Sequence, residues 1–235
     1  MYETGYIVLA ASLIAALIIW KIVRRIIRAV RDNKLMQSVT DKSRGTRAER
    51  QLVVSLLKNG IPAKDIYHDL YLEYRPGYYS QIDVVAIVPA GIIVFEEKDY
   101  SGWIFGKGWQ KQWTQVMNYG QEKNRFYNPV KQNETHIVRI KAALGAAGLD
   151  VRFLPVIIFH GNCELRDVSE IPTGTFVGYA EQLSKFLKEI EKLPACNFAQ
   201  EETIRRTLRA AVRNGKDPSV IERHLANVNR WRDNQ

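Results

Sequence analysis

Gln81 to Tyr100 constrains this chain more than any other stretch. It reads Gln-Ile-Asp-Val-Val-Ala-Ile-Val-Pro-Ala-Gly-Ile-Ile-Val-Phe-Glu-Glu-Lys-Asp-Tyr. Two apolar runs, Val84 to Val88 and Ile92 to Phe95, flank Pro-Ala-Gly, a turn signal, so the spacing predicts a β-hairpin. In an antiparallel pair the start of one strand lies beside the end of the other, which brings Asp83 near Glu96 and Lys98. Side chains alternate along a strand, so Glu96 and Lys98 share a face and Glu97 points away. Two carboxylates and a lysine at the ends of apolar strands are costly to bury, and such a cost points to a function.

The 235 residues, 46% hydrophobic and 25% charged, suffice for one sizeable core with appendages. The formal net charge of +9 favours an anionic partner, nucleic acid or an acidic lipid surface. Cys163 and Cys196 match no metal-ligand spacing and read as free thiols in a reducing compartment. Zinc, haem and iron–sulfur signatures are absent from the sequence.

Between Thr4 and Trp20 no residue is charged, and Lys21, Arg24, Arg25, Arg28 and Arg31 follow. A cleaved signal peptide carries its positive charge before the apolar run, whereas here only Glu3 precedes it. The expectation is an uncleaved transmembrane helix over residues 5–23, with the N-terminus outside and the remainder cytoplasmic. Ile22, Val23, Ile26, Ile27 and Val30 continue it as a basic amphipathic extension suited to an anionic leaflet. The expected divisions are 1–31 as anchor and extension, 32–44 as linker, 45–194 as the folded domain and 195–235 as a basic helical segment.

In the domain, Leu52, Val53, Leu56 and Leu57 give a helix its apolar face. Thr46 and Glu49 stand in capping-box spacing, which gives Glu49 a structural role. Ile66 to Tyr74 alternates as a strand with Ile66, His68, Leu70 and Leu72 on one face, and His68 reads as a packing or hydrogen-bonding residue. Trp103, Phe105, Trp109 and Trp113, interleaved with Lys107 and Lys111, form a second hairpin. It suits nucleic acid if the aromatics stack on bases, or ordinary packing if the tryptophans lie on the sheet. Asn128-Pro129 starts a helix that places Gln132 and His136 one turn apart. Val151 to Phe159 and Phe176 to Tyr179 supply further strands, and Ala180 to Leu193 an amphipathic helix. The order implies an α/β fold, a mixed central β-sheet flanked by helices. Glu201 to Trp231, two basic helices split at Gly215 to Pro218, either binds phosphate or acidic lipid or packs on the domain as a lid.

Hydrolysis of a phosphodiester calls for a hard cation, and Mg²⁺ or Mn²⁺ takes a few oxygens and keeps several waters. Asp83 and Glu96 supply carboxylates, the backbone carbonyl of Glu97 can supply a third oxygen, and Lys98 can orient water or stabilise phosphate charge. Gly45-Thr-Arg-Ala-Glu49, Gln81-Ile-Asp83, Gly91-Ile-Ile-Val-Phe-Glu96-Glu-Lys98 with Gly102, and Asn128-Pro129-Val-Lys-Gln132 resemble the nuclease-related domain (NERD) family. That family is placed in the PD-(D/E)xK, restriction-endonuclease-like superfamily. The resemblance spans about Gly45 to Leu144 and implies an active site of Glu49, Asp83, Glu96 and Lys98 with Gln132 nearby. Val84, Glu97 and Asp99 depart from the family's common histidine, valine and asparagine. The expected activity is a membrane-anchored, divalent-metal-dependent nuclease acting on DNA. The alternatives are a non-catalytic nucleic-acid-binding module of the same fold and a membrane-associated scaffold.

Overall fold

The structure, a computed structural model, describes residues 2–233 and the side chains of residues 13–230. Its first sheet begins as a meander of β1 (Ile66–Arg75), β2 (Tyr78–Val88) and β3 (Gly91–Asp99). β2 and β3 form the expected hairpin, with Val84 opposite Phe95 and Val88 opposite Gly91 across Pro89 and Ala90. β7 (Phe153–His160) lies parallel to β3, and β9 (Phe176–Tyr179) parallel to β7. The order β1-β2-β3-β7-β9 is therefore mixed. Ile92, Ile93, Val94, Phe95, Val156, Ile157 and Ile158 are fully buried, as a strand covered on both faces requires.

Two helical layers provide that cover. α2 (Arg47–Lys58) and α4 (Leu183–Ile190) put Leu52, Val53, Leu56, Leu183 and Leu187 against Val84, Ala86, Ile93 and Phe95. On the opposite face α3 (Pro129–Leu144) and α5 (Glu201–Asn214) bring Ile137, Ile140, Ile204 and Leu208 onto Leu70, Ile82, Val85 and Val94. Each such fully buried side chain contributes about 1.5–3 kcal/mol of transfer free energy. Of the two ways of placing the basic C-terminal segment, α5 takes packing: it is a wall of the core. α6 (Pro218–Asp233) follows along β2, where His224 Nδ1 lies 2.9 Å from the Tyr79 carbonyl.

A second sheet departs from the single-sheet expectation. β4 (Gly102–Lys107) and β5 (Gln112–Met117) form the aromatic hairpin, but β6 (Glu122–Tyr127) and β8 (Cys163–Ser169) extend it in the order β6-β5-β4-β8. β6 is polar and almost wholly exposed, and β8 alternates only over Cys163 to Arg166 before Asp167 breaks the pattern, so neither strand carries an apolar run in the sequence. Ile104, Trp113, Val130, Ile157 and Phe159 weld the two sheets together.

At the N-terminal end α1 (Tyr2–Met36) runs on through the first part of the expected linker. Buried Met36 and a Lys58–Asp32 ion pair of 2.6 Å hold its end to α2. The expected transmembrane helix is corrected here: among the described residues no helix is long and apolar enough to cross a membrane. Residues 5–12 of that expected span lie outside the described side chains. From Lys21 onward the helix is interrupted by Lys21, Arg24, Arg25, Arg28, Arg31, Asp32 and Lys34, charges that a bilayer core does not take.

Candidate active site

The β1–β2 ladder breaks where the site begins. His68 pairs with Val84 and Leu70 with Ile82, but Asp69 and Asp83 between them do not pair. Asp69 adopts φ +54°, a left-handed conformation that costs a non-glycine residue about 1–3 kcal/mol unless its surroundings enforce it. Arg44 and Gln81 enforce it. Arg44 Nε lies 3.1 Å from Asp69 Oδ2, and Gln81 Nε2 donates to Oδ1 at 3.1 Å. The kink reverses the strand's faces, so the simple alternation expected of β1 holds only up to His68. Ile66 and Val84 belong to the α2 side, whereas Leu70 and Ile82 belong to the α3 and α5 side.

Beyond Val84↔Phe95 the β2–β3 ladder gives way to a side chain. The Glu97 N–H donates to Asp83 Oδ2 at 2.7 Å. A strand residue's N–H and C=O point to the same edge, so the Glu97 carbonyl also faces the β2 side. Glu96 and Lys98 share the α3 face and are ion-paired through Glu96 Oε1. Lys98 Nζ donates to Gln132 Oε1 at 3.4 Å, and His136 Nε2 stands 3.2 Å from Glu96 Oε2. His136 Nδ1 is 3.0 Å from Ser80 Oγ, which accepts from Arg139 at 2.9 Å. α3 is set in place for this by Asn128, whose side chain accepts from the Val130 N–H, and by Asn133, which donates to the Val94 carbonyl at 2.8 Å.

Glu49 comes from the first turn of α2. The Thr46 hydroxyl accepts from the Glu49 N–H, so the N-cap forms. The Glu49 carboxylate is also influenced by the Thr46 backbone N–H, as the capping box expects, and at the same time stands 3.2 Å from His68 Nε2. His68 Nδ1 in turn lies 2.9 Å from Thr40 Oγ1. Gly45, at φ +59°, makes room for the pair: a Cβ there would sit 2.3 Å from Glu49 Oε2 and 2.5 Å from His68 Nε2.

These surroundings push the acids apart. Burial and the charge of Glu96, with Glu49 adding to it, hold the Asp83 carboxyl well above its ordinary range against the pull of Lys98. Burial alone would raise Glu96 too, but Lys98 and His136 more than offset it and leave Glu96 below its usual value. Burial alone would raise Glu49 as well, but His68 and Thr46 together bring it below its usual value. For Lys98, burial favours the neutral amine, yet Glu96 and Asp83 raise it well above the ordinary lysine value, so the ammonium is retained. One high acid, one low acid and a fixed cation at one corner are the pattern of a reactive site.

Among the described residues no group of three or more His, Cys, Asp or Glu side chains is placed to hold a metal ion. The donor chemistry nonetheless fits Mg²⁺, which takes one or two carboxylates and keeps its waters. Asp83 and Glu96 are two such carboxylates, and the Glu97 carbonyl faces the edge from which Asp83 approaches.

The structure thus brings together Asp83, Glu96, Lys98 and Gln132, with Glu49 close enough to raise Asp83. Sequence reasoning did not single out His136 as a partner of Glu96, although its place one turn from Gln132 was a signal. Ser80, Arg139 and the Asp69 kink carried none. The aromatic segment divides differently from expectation. Trp113 is 1% exposed, stacks on Phe159 and donates to the Lys107 carbonyl, so it is a packing residue and not a base-stacking surface. Glu170 occupies both Lys107 Nζ at 2.6 Å and Trp109 Nε1 at 2.9 Å. Arg166 lies over the Trp103 ring, and Lys111 is exposed.

An aspartate beside Glu-x-Lys on the next strand of a mixed sheet, with a helix adding a glutamine, is the general kind of arrangement called PD-(D/E)xK. Residues 44–160 match the family model of the nuclease-related domain (NERD). The chain is also similar to an uncharacterized protein of Bacillus anthracis, 27% identical over 193 residues that cover 82% of this chain and 87% of that protein. No solved structure matches.

Proposed function

We propose that this protein is a membrane-associated nuclease that hydrolyses phosphodiester bonds of nucleic acid, DNA first, with Mg²⁺ or Mn²⁺ held by Asp83, Glu96 and the Glu97 carbonyl. The observation that carries the reading is the Glu96–Lys98 pair set beside the raised Asp83 carboxyl. Bound there, the cation would supply polarisation of the phosphate and acidification of the attacking water. The chain's own groups do the rest. Lys98, aimed by Glu96 and Gln132, places a permanent positive charge where phosphate charge develops. The Glu97 N–H fixes Asp83 Oδ2 and so orients the other carboxylate oxygen. His136, braced by Ser80 and Arg139, keeps Glu96 in position. Incubation of the protein with single-stranded and duplex DNA and Mg²⁺ or Mn²⁺ tests this. Cleavage should occur and be lost in Asp83→Asn; cleavage that survives that change overturns the site.

One observation favours binding without turnover: both Glu96 oxygens already face a basic group, Oε1 Lys98 and Oε2 His136. DNA binding with no metal-dependent cleavage of either form would select that reading.

Attachment to the cytoplasmic face of a membrane rests on α1. Leu13, Ile14, Leu17, Ile18, Ile19 and Trp20 are exposed, and Lys21, Arg24, Arg25, Arg28 and Arg31 follow. The full chain should float with anionic vesicles, and Leu17→Asp with Ile18→Asp should leave it in the soluble fraction. Equal flotation of the two proteins removes the attachment.

A further inference from the structure

The aromatic hairpin expected to grip nucleic acid is largely spoken for by its own protein, but another surface is not. It lies at the β1–β2 turn. The Tyr74 and Tyr78 rings lie with centroids 6.3 Å apart and planes tilted by 57°. The Arg75 guanidinium sits over both rings, 5.4 Å from Tyr74 and 5.1 Å from Tyr78. From α3, Arg139 lies 3.9 Å above the Tyr74 ring, and Tyr127 at the end of β6 is within its electrostatic reach. Among the described residues neither Arg75 nor Arg139 pairs with a carboxylate, although acids neutralise most of the closely held cations elsewhere in the fold. Tyr78 is 40% exposed. Planar rings held by guanidiniums whose charge no acid neutralises suit unpaired bases on an anionic backbone.

The position of the surface matters as much as its composition. Arg139 donates to Ser80 Oγ, Ser80 meets His136, and His136 faces Glu96. The cluster therefore stands three contacts from the candidate catalytic carboxylate, on the same α3 face as Lys98 and Gln132. A duplex buries its base faces in its own stack and offers the tyrosines only an edge, whereas a single strand can lay bases flat upon them.

We propose that Tyr74, Arg75, Tyr78 and Arg139 form a stacking platform that selects single-stranded nucleic acid and leads its backbone to the Glu96–Lys98 corner. This rests on the nuclease reading for the direction of the strand, but the surface is tested without turnover. Full-length protein in detergent and EDTA is titrated with a fluorescent single strand of about 20 nucleotides and with the matching duplex, read by anisotropy. Tyr78→Ala and Arg75→Gln should each weaken single-strand binding at least about fivefold and duplex binding by less, while Tyr78→Phe keeps the stacking ring and binds like wild type. Unchanged thermal melting shows that each variant is folded.

Single-strand binding within twofold of wild type in both Tyr78→Ala and Arg75→Gln overturns the platform. So does an equal loss for the duplex, or a Tyr78→Phe that falls as far as Tyr78→Ala. An Arg75→Gln protein that loses flotation with anionic vesicles while keeping its oligonucleotide affinity makes this a lipid surface and also overturns the proposal. A protein that binds single strands through Tyr78 and never cleaves them sinks the nuclease reading and leaves the platform standing. One that cleaves, yet binds equally well without Tyr78, sinks the platform alone.

Discussion

Glu96 and Glu97 are chemically identical neighbours, both almost fully buried, and β3 sends them to opposite faces with opposite outcomes. On the α3 face Glu96 meets Lys98 and His136, and its carboxyl falls below the usual range. On the α2 face Glu97 is raised by burial, and His160, 3.0 Å away, opposes this only in part, with the nearby Glu49 adding to the rise. Burial therefore does not decide whether a carboxylate is ready for chemistry; the number and sign of its partners do. The period of a strand separates an acid held charged from one pushed toward neutrality by a single residue.

The largest test of this contrast is activity. Lys98→Ala should reduce cleavage about a hundred- to a thousandfold in a gel assay with Mg²⁺, whereas Glu97→Gln should stay close to wild type. Equal losses would break the distinction between the two faces. Smaller is the effect of crowding the third acid. Gly45→Ala forces a Cβ into the Glu49–His68 contact at a left-handed φ, and should cost about 1–3 kcal/mol in urea unfolding. An unchanged midpoint would mean that the pair is loosely held.

The smallest effect is in pH dependence. A carboxyl raised in the folded state stabilises at acid pH, and that contribution is lost as pH climbs through the raised value. Glu97→Gln should therefore gain on wild type as pH rises above the ordinary glutamate value of 4.5. Glu96 has the reverse sign: its contribution is present above its ordinary value and lost as pH falls through the lowered one, so Glu96→Gln should lose on wild type toward neutral pH. Urea midpoints across that range check both, and parallel curves for the two variants would erase the contrast.

Much of this corner was legible in the sequence because it depends on two short-range rules. Turn chemistry at Pro89 and Ala90 fixes the hairpin, and alternation then sets Glu96 and Lys98 together. Helical spacing after a clear Asn-Pro start set Gln132 beside His136, and only the family resemblance put it near the acids. What could not be read depends on contacts between distant segments. Asp69 looks like an ordinary strand residue, and only Arg44 and Gln81 closing around it produce the kink that reverses β1. Composition grouped Trp103, Trp109 and Trp113 with their lysines, but burial claimed one tryptophan and Glu170 another. β6 and β8 were hidden because their partners, not their own apolar content, make them strands.

The placement of α5 reaches beyond packing into the order of events at the ribosome. Ile204, Leu208 and Ala211 close over Leu70 and Leu72, which are made more than a hundred residues earlier. Until that helix emerges, the face shared with α3 lacks its cover over Leu70 and Leu72, and contacts so distant in sequence close slowly. Translation of the helix that precedes the domain is finished long before then. The reactive corner is drawn from residues 49–136, so its parts are made well before the wall that closes the core last.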